Sequence, residues 1–180
     1  MCVVIDANVL SCVLCSSNEL HEDFLPILKW ILLGKAKMSL GGKLYTEEIA
    51  KKQISFLPFI KELIRLNKIH LFNNAQVESM TNEIQGKITD SDFDDPHIIA
   101  LLIVSKATIL CSNDCRLFKY VHMIKDLNAG SINPKIYTSK HHKPQTDLLC
   151  DENICSCGDH HQLSIKDLEF FKNLIDNKQS

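Results

Sequence analysis

The acidic residues of this chain concentrate where short apolar runs stop. Asp6 ends Val3-Val4-Ile5, Asp114 follows Thr108-Ile109-Leu110-Cys111-Ser112-Asn113, and between them lie the pair Glu47-Glu48 and the cluster Asp92, Asp94 and Asp95. Carboxylates from distant segments converge only if the fold brings those segment ends together, and once converged they repel unless a cation neutralises them. The chemistry implied is a hard-oxygen site for Mg2+ or Mn2+, which take carboxylates, water and substrate phosphate. Two such ions about 4 Å apart can activate a water on one side of a phosphodiester and stabilise the departing oxyanion on the other. That chemistry needs no serine, cysteine or histidine nucleophile, only carboxylates held by rigid elements.

The elements that must hold them are legible as short apolar segments alternating with helical ones. Cys2 to Ile5 is a continuous apolar run, the pattern of a strand buried on both faces. From Phe24 to Leu33 the spacing of Leu25, Leu28 and Leu32 predicts a helix with Pro26 in its first turn and Gly34 as its stop. Lys37 to Leu40 is a strand candidate closed by Gly41-Gly42, and Thr46 then caps a helix carrying Glu47 and Glu48. Phe56 to Leu66 reads as a helix, Ile69 to Phe72 as a strand and Gln76 to Ile84 as a weaker helix. The clearest unit is 89–111: a polar acidic loop, Pro96 in the first helical position, a helix body from Ile98 to Ser105, and a strand from Thr108 to Cys111. A short helix from Asp114 to Tyr120 and a last strand from Lys135 to Tyr137 follow. The alternation predicts an α/β fold, a three-layer α/β/α sandwich with a mostly parallel central sheet. In such folds ligands bind beyond the carboxyl ends of the strands, where Asp6 and Asp114 fall.

Composition sets the outer bounds. The 180 residues, 45% of them hydrophobic, suffice for one domain with a real core and a short appendage. A formal net charge of -2 carries no electrostatic footprint of an indiscriminate nucleic-acid binder, though it leaves room for a nuclease whose acidic centre is offset by metal and flanking Lys and Arg. Five of the eight cysteines, Cys2, Cys12, Cys15, Cys111 and Cys115, lie in or beside apolar segments that read as core. With no signal-peptide pattern and no apolar run near 18 residues, the expectation is a cytoplasmic chain with free thiols and no membrane association.

The four acidic blocks in this order, Val-Val-Ile-Asp6-Ala-Asn8-Val-Leu, Gly41-Gly42-Lys-Leu-Tyr-Thr-Glu-Glu48-Ile, Ser91-Asp-Phe-Asp-Asp95-Pro-His-Ile-Ile-Ala-Leu and Leu110-Cys-Ser-Asn-Asp114, resemble a PIN-domain nuclease of the stand-alone prokaryotic kind. The resemblance covers roughly residues 1–140. It implies a PIN-like nuclease domain with a pocket formed by Asp6, Glu48, Asp95 and Asp114 as catalytic metal ligands. It also implies a divalent-metal-dependent endonuclease, a Mg2+ or Mn2+ endoribonuclease whose usual substrate is RNA, with structured DNA used by some members. Asn8 and Asn113 occupy positions that orient a ligand carboxylate or water. Which of Glu47 and Glu48 points inward, and which of Asp92, Asp94 and Asp95 serves, stays open at this level. A catalytically silent PIN-like binding or scaffold domain, and the toxin of a toxin–antitoxin pair held by a protein partner, are the alternatives.

Plainer roles compete at each position. Asp95 before Pro96 fits a helix N-cap, Asp6 and Asp114 fit strand-end turn residues, Glu48 fits a solvated helix surface, and His97 fits a structural hydrogen bond. Residues 141–180 form a Cys/His-containing linker and a C-terminal amphipathic helix from Ser164, in which Ile165, Leu168, Phe171, Leu174 and Ile175 make an apolar stripe for core packing or a homodimer contact. His141-His142 beside Lys140 and Lys143 read as a basic surface loop. Cys150, Cys155, Cys157, His160 and His161 are zinc-ligand types, but their spacing matches no common finger. Protein purified in metal-free buffer is therefore expected to carry close to no zinc per chain by elemental analysis, and a stoichiometric content would overturn that reading.

Overall fold

Five short strands, all parallel, form the centre of the computed structural model, which describes residues 2–127, 132–140, 145–150, 153 and 161–175. The strands β1 (Cys2–Ile5), β2 (Lys37–Leu40), β3 (Ile69–Leu71), β4 (Ile109–Cys111) and β5 (Lys135–Tyr137) are arranged in the order β3-β2-β1-β4-β5. Val3, Val4 and Ile5 pair with Ile109, Leu110 and Cys111, and this central pair has essentially no exposed side chain, as the unbroken apolar runs require. Because every strand runs the same way, all carboxyl ends lie on one edge of the sheet. The order reverses between β1 and β4, and a crevice opens beyond that edge at such a reversal.

Around the sheet lie α1 (Leu10–Leu14), α2 (His21–Leu32), α3 (Leu57–Arg65), α4 (Asn74–Lys87), α5 (Pro96–Ser105) and α6 (Cys115–His122), followed by α7 (Ile165–Leu168) and α8 (Lys172–Ile175). The arrangement is an α/β fold consistent with three layers. Helix α5 lies against β1 and β2 and under α4, and it is buried on nearly all sides, with Ile98, Ile99, Ala100, Leu101 and Leu102 at 0% exposure. Each of those four large side chains gains about 1.5–3 kcal/mol on burial. Helix α5 is therefore anchored by its body, and the residue that precedes it is fixed in space. Lys106 ends it in the left-handed conformation, at φ 52°.

The structure departs from the sequence reading in four places. Helix α2 begins at His21, not Phe24, so Pro26 lies inside it and costs a hydrogen bond. The start is set by Asn18, whose side chain accepts from Leu20 N at 2.9 Å, and by Glu22 and Asp23 in the first turn. Thr46 caps nothing: its hydroxyl donates to Gly42 O at 3.1 Å, and Leu44–Ile49 is a π-helical stretch inside a turn that has already begun. Helix α4 runs well beyond Gln76 to Ile84, because Asn73 accepts from Ala75 N and Gln76 N while only Val77 and Ile84 are buried, too few to mark its length. The C-terminal helix is broken in two by a 3-10 turn at Glu169–Phe171, and its stripe is not continuous: Ile165 is 87% exposed while Phe171 is fully buried. Leu174 and Ile175 have side chains outside the described residues, as do Cys155, Cys157, His160 and the His141-His142 pair. Of the cysteines read as core, Cys12 and Cys111 are buried, Cys15 is half-buried and Cys115 is exposed at the start of α6. The side chain of Cys2 lies outside the described residues.

The turn that carries Glu48 depends on Gly42. Its φ is 55°, a Cβ there would sit 2.6 Å from Val77 Cγ1, and its N–H donates to Asn74 Oδ1 at 2.9 Å. Gly42→Ala is expected to lose about 1–3 kcal/mol in urea denaturation, from backbone strain and the forced shift of α4. An unchanged midpoint would show that this turn adapts freely.

Candidate metal centre

Asp6 is positioned by the end of β1, where its backbone N–H continues the ladder to Cys111 O at 3.0 Å. Its carboxylate accepts from Asn8 N at 3.2 Å, Asn8 Nδ2 at 2.8 Å and Ser112 Oγ at 2.7 Å. The Ser112 hydroxyl also accepts from Asp114 N at 3.0 Å, so one buried oxygen ties the ends of β1 and β4 together. Asp114 opens α6 and accepts from Arg116 N at 2.9 Å. Both aspartates thus make the local turn bonds that the plainer reading expects.

Glu48 and Asp95 face each other across His97. In the π-helical stretch the two glutamates diverge: Glu47 is exposed and 4.0 Å from Lys51, whereas Glu48 is half-buried with Oε1 3.2 Å from His97 Nε2. Asp95 precedes α5 in the capping position, yet its side chain makes no capping hydrogen bond among the described residues. Its Oδ1 lies 3.9 Å from His97 Nδ1. Asp94 is exposed and paired with Arg116 at 2.8 Å, and Asp92 is exposed in the loop, 3.9 Å from Lys119. Ligand atoms of Glu48, Asp95 and His97 lie within 4.8 Å of one another, and so do those of Asp94, Asp95 and Asp114. Asp95 belongs to both groups and is the hub.

The charges report the same crowding. Burial pushes the Asp6 carboxyl up, Ser112 and Asn8 pull it back, and Asp95 and Glu48 push it up again. Asp95 is likewise raised by burial; His97 offsets this while Asp94, Glu48 and Asp114 add to it. Burial also acts to raise Glu48, but the His97 imidazole, with Lys43 and Lys52, holds it below the ordinary glutamate range. Asp114 is held low by its hydrogen bonds to Arg116, whose guanidinium reaches both carboxylate oxygens at 3.2 and 2.9 Å. Ligand atoms close enough for one ion thus come from Glu48, Asp95 and His97 or from Asp94, Asp95 and Asp114, oxygen-rich sets of the kind a hard dication takes, whereas Asp6 belongs to neither and feels Asp95 and Glu48 through charge. Asp6 and Asp95 are raised first by burial and further by neighbouring carboxylates, an arrangement that a bound cation would offset. A cleft of about 240 Å³ lined by Lys43, Thr46, Asn74, Asp94 and His97 adjoins it.

Among the described residues Asn113 bonds no carboxylate. Its amide oxygen accepts from Thr138 Oγ1 at 2.7 Å and Ser139 N at 3.1 Å, which braces the loop after β5. Ser112, overlooked in the sequence, does the work beside Asp6; a serine after an apolar strand carries little signal, because its partner is 106 positions away. Arg116 was missed for the same reason, since an exposed basic residue after a helix start is commonplace. No family model, no curated protein and no solved structure matches this chain.

The raised carboxyl of Asp95 fixes the sign of a pH effect. A carboxyl raised in the fold favours the protonated native state, so its ionisation destabilises the metal-free protein above the folded value and contributes nothing below the unfolded one. Asp95→Asn is therefore expected to raise Tm by a few degrees at pH 7 without metal, and the gap from wild type should close as pH falls toward 4. A lower Tm for the variant at pH 7 would contradict this account of the site.

Proposed function

We propose that this chain is a divalent-metal-dependent phosphodiester hydrolase with a PIN-like fold, an endonuclease acting on single-stranded RNA. The observation that carries the reading is the convergence of Asp6, Glu48, Asp95 and Asp114 from four separate segments on the carboxyl edge of the parallel sheet, with Asp95 coupled to the other three. These four would hold Mg2+ or Mn2+, which when bound makes water a nucleophile near neutral pH and offsets charge on the phosphoryl oxygens.

The chain's own residues supply binding, orientation and charge compensation. Ser112 and Asn8 fix the Asp6 carboxylate so that it meets a cation without reorganisation. Arg116 is 60% exposed at the mouth, and a guanidinium released from Asp114 by a competing cation is placed to take two oxygens of a phosphodiester. Lys140, Lys43 and Lys52 lie close enough to act on Asp114 or Glu48, which gives the acidic centre a basic rim despite the net charge of -2. Such a rim suits a pliable strand that brings one phosphate down to the carboxylates. RNA is preferred over structured DNA on this ground and on the resemblance of the four acidic blocks.

One observation favours a second reading. Arg116 on Asp94 and Asp114 already neutralises part of the set, the state of a PIN-like binding module that has lost catalysis. The two are separated by incubating labelled single-stranded RNA with Mn2+, with and without EDTA. Wild type is expected to cleave only with the metal, while Asp6→Asn and Asp114→Asn, which change charge and little volume, fall to background with an unchanged circular dichroism spectrum. Full activity in both variants would defeat the mechanism, and an inert wild type would favour the binding module.

A further inference from the structure

Inside the candidate centre one polar atom is left over. His97 is the second residue of α5, is 3% exposed, and its Nε2 has no hydrogen-bond partner among the described residues. Glu48 Oε1 lies 3.2 Å from that nitrogen, close enough for attraction but out of line for a hydrogen bond. A buried, unsatisfied ring nitrogen costs about 1–3 kcal/mol, a cost that a bound cation would remove; of the buried atoms left unpartnered among the described residues, His97 Nε2 is the one that lies among the candidate metal ligands. The nitrogen faces Glu48 Oε1, and Asp95 Oδ1 lies 3.9 Å from the other ring nitrogen, Nδ1, so the imidazole sits between the two carboxylates.

Resting on the hydrolase reading above, we propose that His97 Nε2 is a direct metal ligand beside Glu48 and Asp95, and that the centre therefore selects Mn2+ over Mg2+. A cation between these three groups satisfies all of them at once: it completes the ring nitrogen and neutralises two carboxylates that share one small space. Their ligand atoms already lie within 4.8 Å of one another. Ligands on one ion at bonds near 2.1 Å are at most roughly 4.2 Å apart, so the set closes by about half an ångström. The metal class follows from the donors. Carboxylate and water suit Mg2+, Ca2+ and Mn2+, and of these three Mn2+ is the first-row transition ion, the one that takes an imidazole nitrogen more readily than Mg2+ does. Asp6 and Asp114, without a nitrogen beside them, contribute oxygen only.

The test is pulsed electron paramagnetic resonance on the full chain loaded with Mn2+ alone, without substrate. Wild type is expected to show modulation from a directly bound 14N nucleus that changes to the 15N pattern when histidine is 15N-labelled, a comparison that needs no mutation. His97→Gln should lose the nitrogen signal and bind Mn2+ about 10-fold or more weaker while Mg2+ affinity, read by competition, changes little. Bound Mn2+ with no nitrogen coupling in wild type, or coupling that persists in His97→Gln, would overturn the ligand assignment and leave the hydrolase reading standing. Failure of wild type to bind Mn2+ at all would overturn both.

Discussion

Everything in this molecule turns on holding like charges close together, partly out of water. His97 and Arg116 offset the charge of Glu48 and Asp114, whereas Asp6 and Asp95 are penalised by burial and by neighbouring carboxylates. What opposes them is the apolar body of α5 and the central β1 and β4 pair, where side chain after side chain is fully buried. Four buried Ile and Leu side chains in α5 alone outweigh the unfavourable interactions of the one carboxylate that helix presents. The crowding is therefore a local strain that the core sustains, and its relief is available to whatever cation arrives.

The relief is unevenly distributed. Asp114 has a guanidinium across its face and titrates low, whereas Asp6 and Asp95 are raised, and Asp6 has only neutral donors against it. The empty side of the charge balance thus lies deep, near Asp6 and Asp95, and the filled side lies at the mouth. On the proposed function an incoming dication would be drawn inward, and Arg116 would lie where a phosphate is first met. Ser112 adds rigidity to this arrangement because a single hydroxyl spans two strand ends.

Much of this was readable from residue order. Strands β1 and β4 fall where apolar runs predict them, since a strand buried on both faces leaves an unbroken run and needs no partner information, while β2, β3 and β5 lie in the mixed segments read as strands. Asp6 and Asp114 could be placed because strand ends are local features, and Pro96 announced α5. Which of Glu47 and Glu48 turns inward was not legible, because Leu44–Ile49 winds as a π-helix and 3.6-residue spacing misassigns its faces. Helix α4 was under-read because it buries so little, and the C-terminal stripe was over-read because periodicity cannot reveal a break at Glu169. Ser112, Arg116 and the orphan nitrogen of His97 acquire meaning only from residues far along the chain.

The far end of the sheet has a bearing on how the protein can be divided. Lys68 is wholly buried, pushed down to about 8 by burial and by Lys37, and its ammonium donates to Gly34 O at 2.9 Å and to His161 O at 2.6 Å. Phe171 is buried beside Phe59. A chain cut after residue 140 would strip that ammonium of one of its two acceptors and uncover an aromatic socket, so the tail is a closing piece of the body rather than a detachable module. Exchange of this segment between relatives, or fusion of a tag in place of it, would be borne by the interior of the fold and not by its surface.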